Sequence, residues 1–157
     1  MKTIVRTLLS FVFVALLFSC GGGGEGDAPR IVVEGEWARA TPLLGNDGGG
    51  STNSAIYLSI RNLGGGADRL LGGESPAAAA VQLHESRVVE DVMSMRRIDG
   101  LDIPPGGSVE LEPGGMHIML LGLTAALVGG EDIDLTLHFL HSGDLRVSVP
   151  VKPSGGM

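Results

Sequence analysis

Cysteine is nearly absent from the sequence, and this excludes several functions. The 157-residue chain has one cysteine, Cys20, so no internal disulfide can form. A blue-copper electron-transfer site requires a cysteine thiolate, and Cys20 lies outside the strand-forming part of the chain. No cysteine nucleophile is available there either, and no Ser/His/acid pattern stands out, so we do not expect an enzyme.

Basic residues are also scarce, with 11 Lys and Arg against 18 Asp and Glu. Lys2 and Arg6 fall within residues 1–19, which contain no acidic residue, so the rest of the chain has 9 basic and 18 acidic residues and a formal charge of −9. No basic stripe is present, which excludes nucleic acid as a partner. The acidic surface favours cations and basic partner patches.

The N-terminus has the pattern of a secretory signal. Lys2 and Arg6 form a short basic region, and residues 8–18 form an apolar run of typical signal length. This run is too short to span a bilayer comfortably, so a permanent transmembrane helix is not expected. We assign residues 1–19 to a signal peptide and place the protein outside the cytoplasm.

Leu17-Phe18-Ser19-Cys20 is similar to a bacterial lipobox, in which the cysteine is lipidated and becomes the first residue. Ordinary secretory cleavage near the same point is the alternative. Residues 20–30 are rich in glycine and read as a flexible tether. Acylation of Cys20 would anchor the protein stably to a membrane. We therefore expect a domain attached to a membrane, in the periplasm or at the outer cell surface.

The rest of the chain has the pattern of a β-protein. Apolar and polar residues alternate with period two over three segments, 55–61, 133–139 and 145–151, and Trp37 reads as a core aromatic. Glycine and proline breaks separate further short strands, and 124–128 is at most one helical turn. The shorter candidate strands are 31–39, 69–71, 79–85, 92–98, 108–111 and 116–121. The pattern predicts one all-β domain over residues 31–152, an antiparallel β-sandwich or barrel, followed by a tail at 153–157. Residues 41–53 read as a long loop.

Two histidines and two methionines are the candidate metal ligands. His117 and Met119 are two residues apart on a predicted strand, so their side chains share one face. His84 is expected where a strand gives way to a loop, and Met95 lies eleven residues further on. Thioether sulfur selects Cu(I), and imidazole suits copper in either oxidation state. We expect these four side chains to meet at one end of the sandwich, with Glu85 a solvated neighbour.

For the other histidines and methionines we prefer a structural role over metal binding. Met93 shares a face with Met95 and is a possible auxiliary ligand, although a core or surface role is the stronger interpretation. Met116 faces away from the site and is expected to pack. His138 and His141 lie on or beside a strand near a turn, where exposed histidines need no metal.

The spacing of the four ligands resembles the His-X10-Met-X21-His-X-Met signature of the periplasmic copper(I) chaperones known as PCuAC. Further blocks are similar to that family in the expected order, so the resemblance covers residues 31–152. These blocks are residues 37–41, 55–62, 68–71, 83–85, 95–96 and 113–120. The lipoprotein-type N-terminus and the glycine-rich segment at 45–50 depart from the family pattern.

The resemblance implies a cupredoxin-like β-sandwich of Greek-key type that binds one Cu(I) through His84, Met95, His117 and Met119. It also implies delivery of the ion to the copper centre of cytochrome c oxidase, or to an assembly partner. Two alternatives stay open. One is a copper-buffering or copper-resistance lipoprotein without a dedicated acceptor, and the other is an anchored interaction module in which the His/Met set is incidental.

Overall fold

The computed structural model describes residues 28–42, 52–89 and 92–153. The predicted signal peptide, Cys20, most of the tether, most of the 41–53 loop and residues 154–157 lie outside these ranges. No helix with the length and hydropathy needed to cross a membrane occurs among the described residues.

The described residues form ten β-strands, which confirms the all-β prediction. They are β1 Ile31–Arg39, β2 Asn53–Asn62, β3 Asp68–Glu74, β4 Ala78–Val89, β5 Val92–Ile98, β6 Leu101–Ile103, β7 Ser108–Leu111, β8 Met116–Leu123, β9 Asp132–Phe139 and β10 Gly143–Lys152. Alternating apolar residues give β2, β9 and β10 their inward faces, as the period of two requires.

The strands form one continuous sheet that curls onto itself. Its order is β5-β4-β8-β2-β1-β10-β9-β3-β6, with β7 paired to β2. A further pairing, Gly73 with Val81, joins β3 to β4 and brings the two halves of the sheet together. β1 and β10 run parallel through Ala38 and Val151, whereas every other described pair of strands is antiparallel.

The core lies between the two halves of the sheet. Its fully buried large side chains are Ile56, Ile60, Leu70, Ile103, Ile118, Leu120, Leu135, Leu137 and Val149. Burial of each such side chain stabilises the fold by about 1.5–3 kcal/mol. β2 is central and is buried on both faces, because Tyr57 and Ala55 on its other side are covered as well. This second covered face of β2 is part of the candidate site.

Two buried polar residues fix the turns around this core. The Asn62 side chain accepts hydrogen bonds from the backbone N–H groups of Arg30 and Gly64, and it donates to the carbonyl of Gly66. Asp68 accepts from the backbone N–H groups of Arg69, His141 and Ser142. Burial opposes ionisation of Asp68, but these hydrogen bonds, together with one from the Ser142 side chain, outweigh it and lower the pKa of the carboxyl.

The structure corrects the expected position of His84 in its strand. The sequence predicted a strand that ended near Glu85, but β4 continues to Val89. The extension pairs with β5 from Leu83 opposite Ile98 to Val89 opposite Val92. Pairing within the hairpin therefore keeps this segment extended, although its polar composition alone predicts a loop. As a result, His84 lies in the middle of a strand.

Trp37 was wrongly predicted to be a core residue. It is only half-buried, because a β-bulge shifts the register between Glu34 and Trp37. Gly35, at φ 66°, supplies the left-handed conformation that such a bulge favours. The tryptophan ring then packs against Tyr57, with ring centroids 4.6 Å apart, and the ammonium of Lys152 lies 5.1 Å from its centre.

Candidate metal centre

The two candidate histidines lie directly opposite each other on neighbouring strands. Residue pairing between β4 and β8 places His84 across from His117, and the ring centroids are 5.9 Å apart. A metal ion lies roughly 3 Å from the centre of each imidazole that binds it, so two rings on one ion are separated by at most roughly 6 Å. The observed separation is compatible with one shared ion.

The two methionines lie on the same side of the sheet, one on each side of the histidine pair. Met119 is two residues after His117 on β8, and it pairs with Gln82 and Ala55. Met95 pairs with Ser86, which is two residues after His84 on β4, so Met95 lies on the other side of the histidine pair from Met119. We call this side of β5, β4, β8 and β2, with Met95, His84, His117, Met119 and Tyr57, the site face.

A cavity of about 470 Å³ opens on the site face. Its walls include Met95, His117 and Met119, whereas His84 is not part of the wall and lies behind it, with its ring centroid 5.9 Å from that of His117. Met93 also contributes to the wall, so its auxiliary position is geometrically reasonable. Met95 is 49% exposed and Met93 is 68% exposed, while His117 is only 4% exposed. The site therefore combines a fixed histidine with methionines that are accessible from outside.

A hydrogen bond orients the ring of His117. Its Nδ1 lies 3.2 Å from the carbonyl oxygen of Gly115, so Nδ1–H donates and Nε2 keeps its lone pair. A metal-binding histidine usually has such a partner on its second nitrogen, which fixes the tautomer and increases basicity. The neighbouring Tyr57 ring, with a centroid 6.3 Å from that of His117, supports the imidazole from the other side.

His84 has one nitrogen without a partner. Its Nε2 lies 3.1 Å from Oε1 of Gln82, and this contact assigns the proton to Nε2. Nδ1 is buried and makes no hydrogen bond within the described residues. Burial lowers the pKa of the imidazole, and the nearby His117 and Arg97 lower it further. A neutral buried nitrogen that lacks a partner is a suitable metal donor, because binding would supply the missing interaction.

The donor set differs from that of a site for hard cations. Within the described ranges, no three His, Cys, Asp or Glu residues are grouped so that they could hold a metal ion. The candidate donors on the site face are imidazole nitrogens and thioether sulfurs, which favour soft Cu(I) over Mg²⁺ or Ca²⁺. The arrangement can hold a soft ion through neutral nitrogen and sulfur donors, none of which is a thiolate or a carboxylate.

The structure also places the other predicted residues. Met116 packs against the core, as expected. The Nδ1 atom of His138 lies 2.7 Å from Oδ1 of Asp144, and the backbone N–H of His141 bonds Asp68. Cys20 lies outside the described residues, so its lipidation stays a prediction.

Glu85 differs from the solvated flank that we expected. Its carboxylate forms ion pairs with Arg87 and Arg96, both at 2.6 Å. The hydrogen bond from Arg87 and that from Arg96 lower the pKa of Glu85. β-Pairing turns Glu85 to the side opposite His84, so its charge is held away from the candidate ligands.

Sequence reasoning missed several neighbours of the site. Gln82 precedes His84 by two residues on the same strand, and this period of two was a usable signal. Tyr57 and Arg39 come from distant strands, so nothing local in the sequence placed them there. The Arg39 guanidinium donates to the Tyr57 hydroxyl at 2.9 Å and lies 5.9 Å from the centre of its ring.

The site-bearing fold is shared with solved structures of known copper domains. The chain is 28% identical to the copper-bound PCuAC domain from PmoF2, with a TM-score of 0.63, and the match covers 78% of this chain and 92% of that one. It is 25% identical to Cu(I)-DR1885 from Deinococcus radiodurans, with a TM-score of 0.57, covering 78% of this chain and 80% of the other. These likenesses define a PCuAC-type domain with the cupredoxin-like β-sandwich fold that the resemblance implied.

Sequence relatives specify the family further. The chain is 35% identical to the "Putative lipoprotein Lxx21020" of Leifsonia xyli subsp. xyli (strain CTCB07), over 98% of this chain and 89% of that protein. It is 28% identical to the "Uncharacterized protein RP573" of Rickettsia prowazekii (strain Madrid E), over 73% of this chain and 62% of that protein. Residues 31–151 match the family described as "Putative lipoprotein LpqE-like", and the chain belongs to this family.

Proposed function

We propose that this protein is an extracytoplasmic copper(I) chaperone. It binds one Cu(I) through His84, Met95, His117 and Met119 and delivers it to the copper centre of cytochrome c oxidase or to an assembly partner. The domain is held near a membrane by a lipid on Cys20. The relative and the family that are named as lipoproteins support the anchor, and the structures of the copper-bound PCuAC domain from PmoF2 and of Cu(I)-DR1885 support the metal.

One observation carries the proposal. His84 and His117 face each other at a separation suited to one ion, and both keep a nitrogen that no other described group occupies. The two thioethers on the same face add the soft character that selects Cu(I) over Zn²⁺ and harder ions.

The accessible methionines favour transfer over permanent storage. Ligands from an acceptor can approach Met95 from outside and replace the protein's ligands one at a time. Such exchange keeps the copper bound throughout, and the buried His117 holds the ion until the last step.

A test compares the wild type with a double variant in which His117 and Met119 are both replaced by alanine. Cu(I) affinity is measured anaerobically, and oxidase copper content and copper tolerance are measured in cells. We expect the variant to lose high-affinity binding and cells that produce it to have under-loaded oxidase. Loss of copper tolerance with normal oxidase loading would identify a buffering protein instead. Unchanged copper affinity would reject the metal site altogether.

A further inference from the structure

Two arginines on the site face differ from most other arginines of the protein. Among the described residues, Arg39 is the only charged one in the wall of the cavity, and Arg97 lies directly opposite His84. Neither forms an ion pair with a carboxylate of the described residues, whereas Arg61, Arg69, Arg87 and Arg96 do. The described part of the rim is therefore positive, on a protein whose formal charge is −7.

An apolar strip leads from the cavity to the end of the β4–β5 hairpin. Met95, Met93 and Val88 share one face by their pairing, and they are 49%, 68% and 67% exposed. β5 is the outer strand of the sheet order, so the strip lies at an open side. The cavity is also far larger than one metal ion and leaves room for side chains that come from outside.

We propose that the site face is the docking surface for a copper-accepting protein segment with carboxylates beside its copper ligands. The inference rests on the proposed function. The carboxylates pair with Arg39 and Arg97, and apolar side chains of the same segment cover Met93 and Val88. During transfer a bond from Cu(I) to a donor of this chain breaks as a bond to an imidazole or thioether of the segment forms. The copper stays Cu(I), and no proton is released.

Charge favours a protein acceptor over the other possible occupants. The chain has a formal charge of −7, so an anionic membrane surface would repel it. A second copy of this acidic chain would add its own net negative charge, which opposes self-association. A segment that is acidic only near its copper ligands meets the positive rim and avoids both costs.

The test uses the full chain, Cu(I)-loaded in detergent micelles, and two synthetic acceptor peptides. Both peptides carry one His and two Met and are matched in Cu(I) affinity, but one has three flanking Asp residues and the other has Asn. Transfer rates are compared for the wild type, for R39Q/R97Q, and for R30Q/R146Q as the control that removes the same charge outside the cavity. Cu(I) affinity of each protein is measured separately.

We expect the wild type to transfer copper to the Asp peptide about tenfold faster than to the Asn peptide at low salt, within the range of electrostatic steering. R39Q/R97Q should remove most of this difference and R30Q/R146Q little, and about 1 M salt should abolish it. Equal rates for the two peptides, or equal slowing by both double variants, would overturn the docking surface. The docking surface would also be overturned if R39Q/R97Q reduced dimerisation of the protein, or if it reduced sedimentation of the protein with anionic vesicles. Failure of the wild type to bind Cu(I) would reject the proposed function itself.

Discussion

Three single Met→Leu substitutions separate ligands from bystanders on the site face. Met95 and Met93 lie two residues apart on β5, share one face and are both exposed. Leucine conserves most of the volume and the apolar character of methionine, so each variant should cost less than about 1.5 kcal/mol of stability. Met119 is half-buried on β8, so this proposed ligand has a more constrained position.

The expected losses of Cu(I) affinity follow from ligand number and side-chain order. Loss of an outer partner of a metal site already costs about 10- to 100-fold in affinity, so loss of a direct thioether should cost at least about tenfold, or 1.4 kcal/mol. Ordering an exposed methionine opposes binding by up to about 2 kcal/mol. M119L should therefore reduce affinity about 100-fold, M95L about tenfold, and M93L less than twofold.

The assay is an anaerobic competition titration of Cu(I) against a chromophoric chelator, with thermal unfolding of the apo-proteins as the control for folding. M93L is the matched control for M95L, because it makes the same change on the same strand. Equal losses for M93L and M95L would show that β5 supplies no specific ligand. Undiminished affinity of M119L would contradict the assignment of the His-X-Met pair.

The structure leads to four further expected outcomes. Because the pKa of His84 is lowered from 6.5, protonation of His84 should weaken Cu(I) binding only below pH 6.5, where protons compete with the ion for this imidazole. Because of the same shift, His84 binds its proton at a higher pH in the unfolded chain than in the folded one, so the stability of the apo-protein should also decrease as pH falls below 6.5. Copper titrations and unfolding curves in buffers of pH 5 to 8 check both trends. Asp68→Ala removes the acceptor of three backbone N–H groups and should destabilise the fold by about 3 kcal/mol in urea unfolding at pH 7; a change below 1 kcal/mol would contradict this role. Tyr57→Phe removes the hydroxyl bonded by Arg39 but keeps the ring beside His117. We therefore expect a stability loss of about 1 kcal/mol and a Cu(I) affinity within about threefold of the wild type. A tenfold loss of Cu(I) affinity would assign the hydroxyl to the metal centre.

Local periodicity predicted the strands with strict alternation and the shared face of His117 and Met119. It also predicted that Met116 faces away from the site and packs, because a strand repeats every two residues whatever its partners are. The all-β class followed from these strands and from the glycine and proline breaks between them.

Features that depend on pairing between distant strands could not be read from local sequence. The extension of β4 to Val89 depends on its hairpin partner, and the position of Trp37 depends on a bulge opposite β2. β6 is only three residues long and exists because it pairs with β3. Arg39 and Tyr57 reach the candidate site by the same non-local pairing, so no motif in the sequence indicated them.

X-ray absorption of the Cu(I)-loaded protein under reducing conditions tests the metal site most directly. We predict one copper with two nitrogen and two sulfur neighbours, loss of one sulfur in M119L and loss of one nitrogen when His117 is replaced by alanine. A first shell made only of nitrogen and oxygen, or a shell that neither substitution alters, would contradict the His/Met centre.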